Sequence, residues 1–169
     1  MAVKPRVSNT LKEIPFVPTP HTVVEKMLQL AAVKPDEVVY DLGAGDGRIV
    51  FTAVNKFAAK GVAVELDPWR SSLIMEKVIR QGLKERIEVR QEDLFQTTLR
   101  GADVVTLYLL PEANRRLSKK LLLELPSGAR VVAHDYPIPD WRPIEVLNVK
   151  CDGKIHTLYL YQPKLMKRF

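Results

Sequence analysis

The sequence predicts an α/β fold in which five parallel strands and a C-terminal antiparallel hairpin form one seven-stranded sheet with helices on both faces. Three observations predict it. From Glu37 onward, apolar runs of strand length alternate with helix-like segments, the pattern that winds a parallel sheet between two helical layers. The first of these runs, Val38–Leu42, passes directly into a glycine-rich turn and then a helical stretch. After Pro137-Ile138-Pro139 the alternation stops, and two strand-like runs follow, joined by a turn containing Asp152-Gly153.

The elements follow in order. Residues 1–14 carry Lys4, Arg6 and Lys12 with no clear period and are expected to be irregular. Pro15-Phe16-Val17-Pro18-Thr19-Pro20 reads as stiff and extended, because proline fixes φ and pushes its predecessor out of the helical region. It leads into a helix: Thr19 suits the cap, Pro20 the first turn, and Val23, Val24, Met27, Leu28 and Leu30 form an apolar stripe. Strands are expected at Val38–Leu42, Gly61–Leu66, Arg86–Gln91, Asp103–Leu109 and Ala129–His134. Between them lie helices at Arg48–Phe57, Trp69–Arg80 and Glu112–Leu123, with a short turn after Asp93. Pro143–Val149 and Ile155–Tyr161 supply the closing hairpin. With no internal repeat or linker, residues 1–169 read as one domain, 1–36 as an N-terminal lid and helix and 37–169 as the core.

Composition bounds the function. Hydrophobic residues at 46% and charged residues at 27% are ordinary globular usage and argue against global disorder. A net charge of +6 and a pI near 9.5 favour acidic or nucleic-acid-associated partners without identifying them. Cys151 is the single cysteine, which excludes an intramolecular disulfide and a four-thiolate zinc site and suits a reducing compartment. The N-terminus lacks an apolar signal core, and the longest apolar run, near Val104 to Pro111, falls far short of the ~18 residues of a membrane span. A soluble cytoplasmic protein is expected, and a monomer.

The sharpest motif is Asp41-Leu42-Gly43-Ala44-Gly45-Asp46-Gly47-Arg48 at a strand-to-helix junction. Its spacing is G-x-G-x-G, with Arg48 where the last glycine of a dinucleotide fingerprint would stand, and the acids Asp41 and Asp46 would repel a pyrophosphate. They suit a cationic ligand instead. S-adenosylmethionine, with an ammonium and a sulfonium, fits that chemistry. Glu65 falls 22 positions after Gly43, near the ~20 expected for a carboxylate that takes ribose hydroxyls. Asp93 follows the third strand, where it could accept from an adenine amino group.

Together with Pro15-Phe16-Val17-Pro18-Thr19, Glu65-Leu66-Asp67-Pro68-Trp69 and Leu107-Tyr108-Leu109-Leu110-Pro111, this motif makes the chain resemble the class I, Rossmann-like seven-strand methyltransferases. More narrowly, it is similar to the archaeal protein lysine methyltransferases, relatives of mitochondrial lysine methyltransferases that modify inner-membrane proteins. The resemblance implies S-adenosylmethionine as cofactor, S-adenosylhomocysteine as product and protein lysines as acceptors, on acidic or DNA-associated proteins among others. It implies that Asp41, Gly43, Ala44, Gly45 and Asp46 form the methionine side of the pocket, that Glu65 holds the ribose and that Asp93 and Leu94 frame the adenine. Val17, Pro18 and Thr19 would close over the cofactor. Tyr108, Leu109, Leu110 and Pro111 would line the channel for the lysine, with Tyr108 orienting the amine or accepting its proton through water. The mitochondrial relatives carry a membrane-targeting N-terminal extension that is expected to be missing here, so their location is not expected to carry over.

His134-Asp135-Tyr136 follows the fifth strand, which makes His134 a candidate substrate contact. His21 and His156 lack metal-ligand spacing, and no metal is expected. Arg115, Arg116, Lys119 and Lys120, and the tail Lys164, Lys167 and Arg168, read as solvated basic faces that could also hold an acidic partner. Few aromatics argue against direct nucleic-acid binding, and no Asn/Asp-Pro-Pro-Tyr/Phe segment or suitably placed cysteine supports base methylation. An RNA or small-molecule methyltransferase and a non-catalytic cofactor-binding module are the alternatives.

Overall fold

Strand β1 (Val38–Leu42) is the centre of the sheet, paired in parallel with β2 (Lys60–Val64) on one side and β4 (Val104–Leu107) on the other. The computed structural model describes residues 16–166. β3 (Ile87–Arg90) lies outside β2, and β5 (Arg130–His134) lies outside β4. The antiparallel strands β7 (Lys154–Tyr161) and β6 (Glu145–Cys151) complete the order β3-β2-β1-β4-β5-β7-β6. The chain reverses its direction of winding between β1 and β4, and open α/β sheets bind ligands in the crevice beyond such strand ends.

The period of two along β1 divides its side chains between two cores. Val39 joins α1 (His21–Leu30) and α2 (Arg48–Phe57), whose Val23, Val24, Met27, Leu28, Ile49 and Ala53 are buried against it. Tyr40 and Leu42 join Leu117 and Leu121 of α4 (Pro111–Glu124) on the opposite face. A smaller cluster packs α2 and α3 (Pro68–Arg80) over β2 through Val50, Ile74, Val78 and Ala63. Full burial of one such branched side chain is worth about 1.5–3 kcal/mol, so these stripes lock the helices to the sheet.

The seven strands and their directions agree with the sequence reading, and β1 and α2 span the expected residues. β2 and β4 end earlier than their apolar runs, at Val64 and Leu107, because ladder pairing with the neighbouring strands stops there. Glu65 and Tyr108 therefore sit just past strand ends, and Asp93 lies three residues beyond β3. Asp152 and Gly153 have φ of +49° and +75°, the left-handed pair of a two-residue hairpin turn. The short α5 (Pro163–Met166) was not anticipated. Thr19 does not cap α1: Pro20 is the flanking residue, and the Thr19 hydroxyl pairs with His134 instead. The expected irregular residues 1–14, Pro15, and the basic Lys167 and Arg168 lie outside the described residues.

Candidate active site

The loop between β1 and α2 lies at the reversal point. Gly43, Gly45 and Gly47 have φ of +85°, +61° and +80°, a backbone that side chains disfavour, and Gly47 flanks the start of α2. The amides of Gly43 and Ala44 both donate to the Val64 carbonyl at 2.9 Å, which ties the loop to the end of β2. Beneath it, Asp41 is buried and accepts from the Thr106 hydroxyl at 2.8 Å across the β1–β4 pair. Burial, with the nearby charges of Glu65 and Asp46, pushes its carboxyl up to about 7, although the Thr106 bond works the other way. No cation pairs with it among the described residues.

Glu65 is also buried, and its carboxylate is already engaged. Oε1 accepts the Gly45 amide at 2.9 Å and Arg70 Nε at 3.2 Å, and Oε2 accepts the Asp67 amide at 2.9 Å. The expected ribose ligand is thus also the brace of the glycine loop. Arg70, on the first turn of α3, was not singled out in the sequence, because nothing in its spacing signals a partner five residues back across a strand end.

Asp46 is neutralised by Arg48, which donates from Nη2 at 2.6 Å and from Nε at 3.1 Å. Burial raises the Asp46 carboxyl, but the bonds and charge of Arg48 outweigh that and hold it below the usual carboxylate range. Arg48 Nη1 reaches the Thr19 carbonyl at 2.9 Å, so one guanidinium joins the glycine loop to the Pro-Thr segment. In that segment Val17 and Pro18 are exposed and Thr19 is buried. The Phe16 ring covers Gly45 so closely that a β-carbon there would lie 2.0 Å from Phe16 Cε2. The Arg70 guanidinium stands 5.4 Å from the centre of the same ring.

Past β3, Asp93 Oδ1 accepts the Phe95 amide at 2.8 Å, which closes the turn that carries Leu94. Leu94 is buried, and its Cδ2 and that of Leu109 are 4.0 and 3.5 Å from the position of a β-carbon on Gly43. These two leucines form an apolar floor where the glycine removes a side chain. Asp41, Gly43, Gly45, Glu65, Leu94 and Leu109 are thus brought together; Asp46 faces Arg48.

Beyond β4, Tyr108 lies half-buried, Leu110 is exposed, and Pro111 opens α4. The Tyr108 ring sits 3.9 Å from the His134 ring and 6.4 Å from that of Tyr136, and its hydroxyl donates to Asp135 Oδ2 at 3.5 Å. Burial, then the Asp135 charge and Tyr136, raise the Tyr108 phenol above its ordinary pKa. His134 was expected at the substrate, but it has no exposed surface and lies behind Tyr108, so an acceptor would meet the tyrosine ring first. Its imidazole is lowered to about 4, chiefly by burial, with His156 acting in the same direction and Asp135 opposing. His156 on β7 stands 2.9 Å from it, although 22 residues separate them in the chain. The pairing of β5 with β7 brings them together, and the alternation of β7 was the one signal that could have pointed there.

Asn114 was also missed. Fully buried on α4, it donates from Nδ2 to the Tyr136 carbonyl at 2.9 Å and to those of Leu109 and Pro137 at 3.4 Å, clamping the loops after β4 and β5. The basic stretch on α4 is largely engaged: Arg116 stacks 3.8 Å over Phe95, Lys120 pairs with Glu124 at 2.7 Å, and Arg115 reaches Asp140 at 3.4 Å.

A buried Asp41 with no cationic partner among the described residues, beneath a left-handed glycine loop and with an apolar floor and a second carboxylate beside it, fits a cofactor that carries both a cationic and a nucleoside end. With the seven-strand order, this defines an S-adenosylmethionine-dependent methyltransferase. The family of the ANTKMT methyltransferase domain matches residues 41–145, and the chain belongs to that family. The chain is 41% identical over 149 residues to a protein-lysine N-methyltransferase of Saccharolobus islandicus, covering 88% of this chain and 92% of the relative. The adenine nucleotide translocase lysine N-methyltransferase of Mus musculus is 35% identical over 140 residues, 83% of this chain and 61% of the relative. An RNA methyltransferase of Salinibacter ruber, solved with S-adenosyl-L-homocysteine, superposes with a TM-score of 0.79 at 41% identity, covering 86% of this chain and 93% of that one. No helix among the described residues is long and apolar enough to cross a membrane.

Proposed function

We propose that the protein is a protein-lysine N-methyltransferase of broad selectivity, acting as a cytoplasmic monomer on accessible lysines, those of acidic or DNA-associated proteins among them. The observation that carries this reading is the aromatic wall formed by Tyr108, just past β4, and Tyr136, two residues past β5, with Tyr108 adjacent to the Leu109 that borders Gly43. An apolar, aromatic wall suits the long methylene stem of lysine. The likeness to the Saccharolobus islandicus enzyme supports the same acceptor.

Bound S-adenosylmethionine supplies a methyl group on a sulfonium, open to in-line displacement by an amine. The chain provides binding and alignment. The Asp41 carboxylate attracts the cationic end, Glu65 serves the ribose hydroxyls from its place against Gly45, and Asp93 with Leu94 frames the adenine. Val17, Pro18 and Thr19 close the crevice, and Arg48 ties Thr19 to the loop. The acceptor must arrive as a neutral amine, and deprotonating a free lysine at pH 7 costs about 4–5 kcal/mol. Burial between Tyr108, Leu109, Leu110 and Pro111 reduces that cost by disfavouring the ammonium. The Tyr108 hydroxyl oxygen orients the amine, and the proton lost from the ammonium passes to water.

The test is incubation with labelled S-adenosylmethionine and cell extract, followed by mass spectrometry of the labelled fraction. Label on the lysines of several proteins is expected. Label confined to RNA would favour the second reading, an RNA methyltransferase, which the 41% identity to the Salinibacter ruber protein supports.

A further inference from the structure

His134, Asp135 and His156 converge beside the crevice, and the one contact their inner atoms make with the acceptor wall is the long bond from the Tyr108 hydroxyl to Asp135 Oδ2 at 3.5 Å. His134 Nε2 lies 2.9 Å from His156 Nδ1 and 3.4 Å from Asp135 Oδ2, and His156 Nδ1 lies 3.9 Å from the same oxygen. Tetrahedral ligands at ~2.0–2.1 Å from a zinc ion stand about 3.3–3.4 Å apart, and these three separations bracket that value. We propose that these three side chains form a binding site for one divalent transition-metal ion of borderline softness, with Zn²⁺ as its representative.

The surroundings of each ligand favour it. Asp135 Oδ1 is held by the Thr157 amide at 3.0 Å, which leaves Oδ2 turned toward the two imidazoles and, at 3.5 Å, the Tyr108 hydroxyl. The outer nitrogen of His134 meets the Thr19 hydroxyl at 3.3 Å, the orienting contact that metal-binding histidines require, and Nε2 faces inward. Asp135 has φ +60° in a three-residue turn closed by the Tyr136 amide on the His134 carbonyl at 2.7 Å. A turn of that kind is strained, and its effect is to aim the carboxylate along the end of β5. Two imidazoles and a carboxylate suit zinc, and three protein ligands leave a fourth position open. Residues 134 and 156 come together only through the β5–β7 pairing, so ligand spacing along the chain could not disclose the site. The inference rests on this geometry alone and is independent of the methyl acceptor.

In the competing arrangement, His134 and His156 simply share one hydrogen bond. Titration of the chelator-treated full chain distinguishes the two, with Zn²⁺ followed by calorimetry and Co²⁺ followed by visible absorption at pH 7.5. One equivalent per chain is expected, with the absorption of four-coordinate cobalt. His156→Gln and Asp135→Asn should each weaken binding at least tenfold; the asparagine tolerates the left-handed backbone and retains an oxygen for the Thr157 amide, and circular dichroism checks that both variants fold. Cys151→Ser should bind as the wild type does. Absence of stoichiometric binding, unchanged affinity in either ligand variant, or loss of binding in Cys151→Ser would overturn the proposal.

Discussion

Thr106 donates its hydroxyl proton to Asp41 across 2.8 Å between two central strands, the one side-chain bond that supports this buried carboxyl among the described residues. The Asp41 pKa, raised to about 7 mainly by burial, reverses the usual pH behaviour of an aspartate. Below about pH 4 both the folded and the unfolded chain hold the proton; between there and about pH 7 only the folded chain does. The contribution of Asp41 to stability therefore falls as pH rises through that window, by something on the order of a few kcal/mol. Asp41→Asn, which retains an acceptor for Thr106, should melt higher than the wild type at pH 8 and lose that advantage at pH 4.

The same carboxyl must ionise to hold a cation. Affinity for S-adenosylmethionine should rise severalfold from pH 6 to pH 8, with proton release below about pH 7, measured as buffer-dependent heat in calorimetry. Asp41→Asn should bind more weakly and without that pH dependence.

Glu65 braces Gly45 with the same carboxylate that is proposed to serve the ribose of the cofactor. Glu65→Ala should therefore weaken S-adenosylmethionine binding by about 10- to 100-fold, the worth of a charged hydrogen bond of ~1.5–3 kcal/mol, and should lower the melting temperature as well. A variant that loses affinity at unchanged stability would remove the brace from the explanation.

Tyr108→Phe preserves the ring against His134 and deletes only the hydroxyl. Turnover should fall by about tenfold or more while the dissociation constant for S-adenosylmethionine holds within a factor of two, as expected for a group that acts on the acceptor and not on the cofactor. Equal turnover would reduce the tyrosine to packing.

Arg48→Lys keeps a positive charge beside Asp46 but cannot span both that carboxylate and the Thr19 carbonyl, since it lacks the planar fork. KM for S-adenosylmethionine should rise severalfold with little change in saturated turnover, which steady-state kinetics would separate.

The parts of this site that were legible in the sequence are local ones. Asp41 and the glycine loop announce themselves because strand, turn and helix are contiguous, and Glu65, Asp93 and Tyr108 because each follows a strand whose apolar run marks its end. Those runs continue past the last paired residues of β2 and β4, so the strand ends were read too late. Arg70, Asn114 and His156 were not legible, since their partners are set by the order of strands across the sheet and by the way helices lie over it. His134 was legible as a residue near the rim but not as a buried one, because burial there depends on Tyr108 folding over it from another strand.

β7 enters the sheet inside β6, between it and β5, although β6 comes first in the chain. The hairpin must therefore dock as a unit through its second strand, and a nascent chain that has reached only Gly153 can seat neither strand. The wall that carries His156 and fixes the Asp135 turn is then missing, so the acceptor side of the site depends on the last strand of the sheet to be made. Leu158, Leu160 and Tyr161 of β7 are buried in the cores on both faces of the sheet, so the strand that completes the acceptor wall also closes the fold.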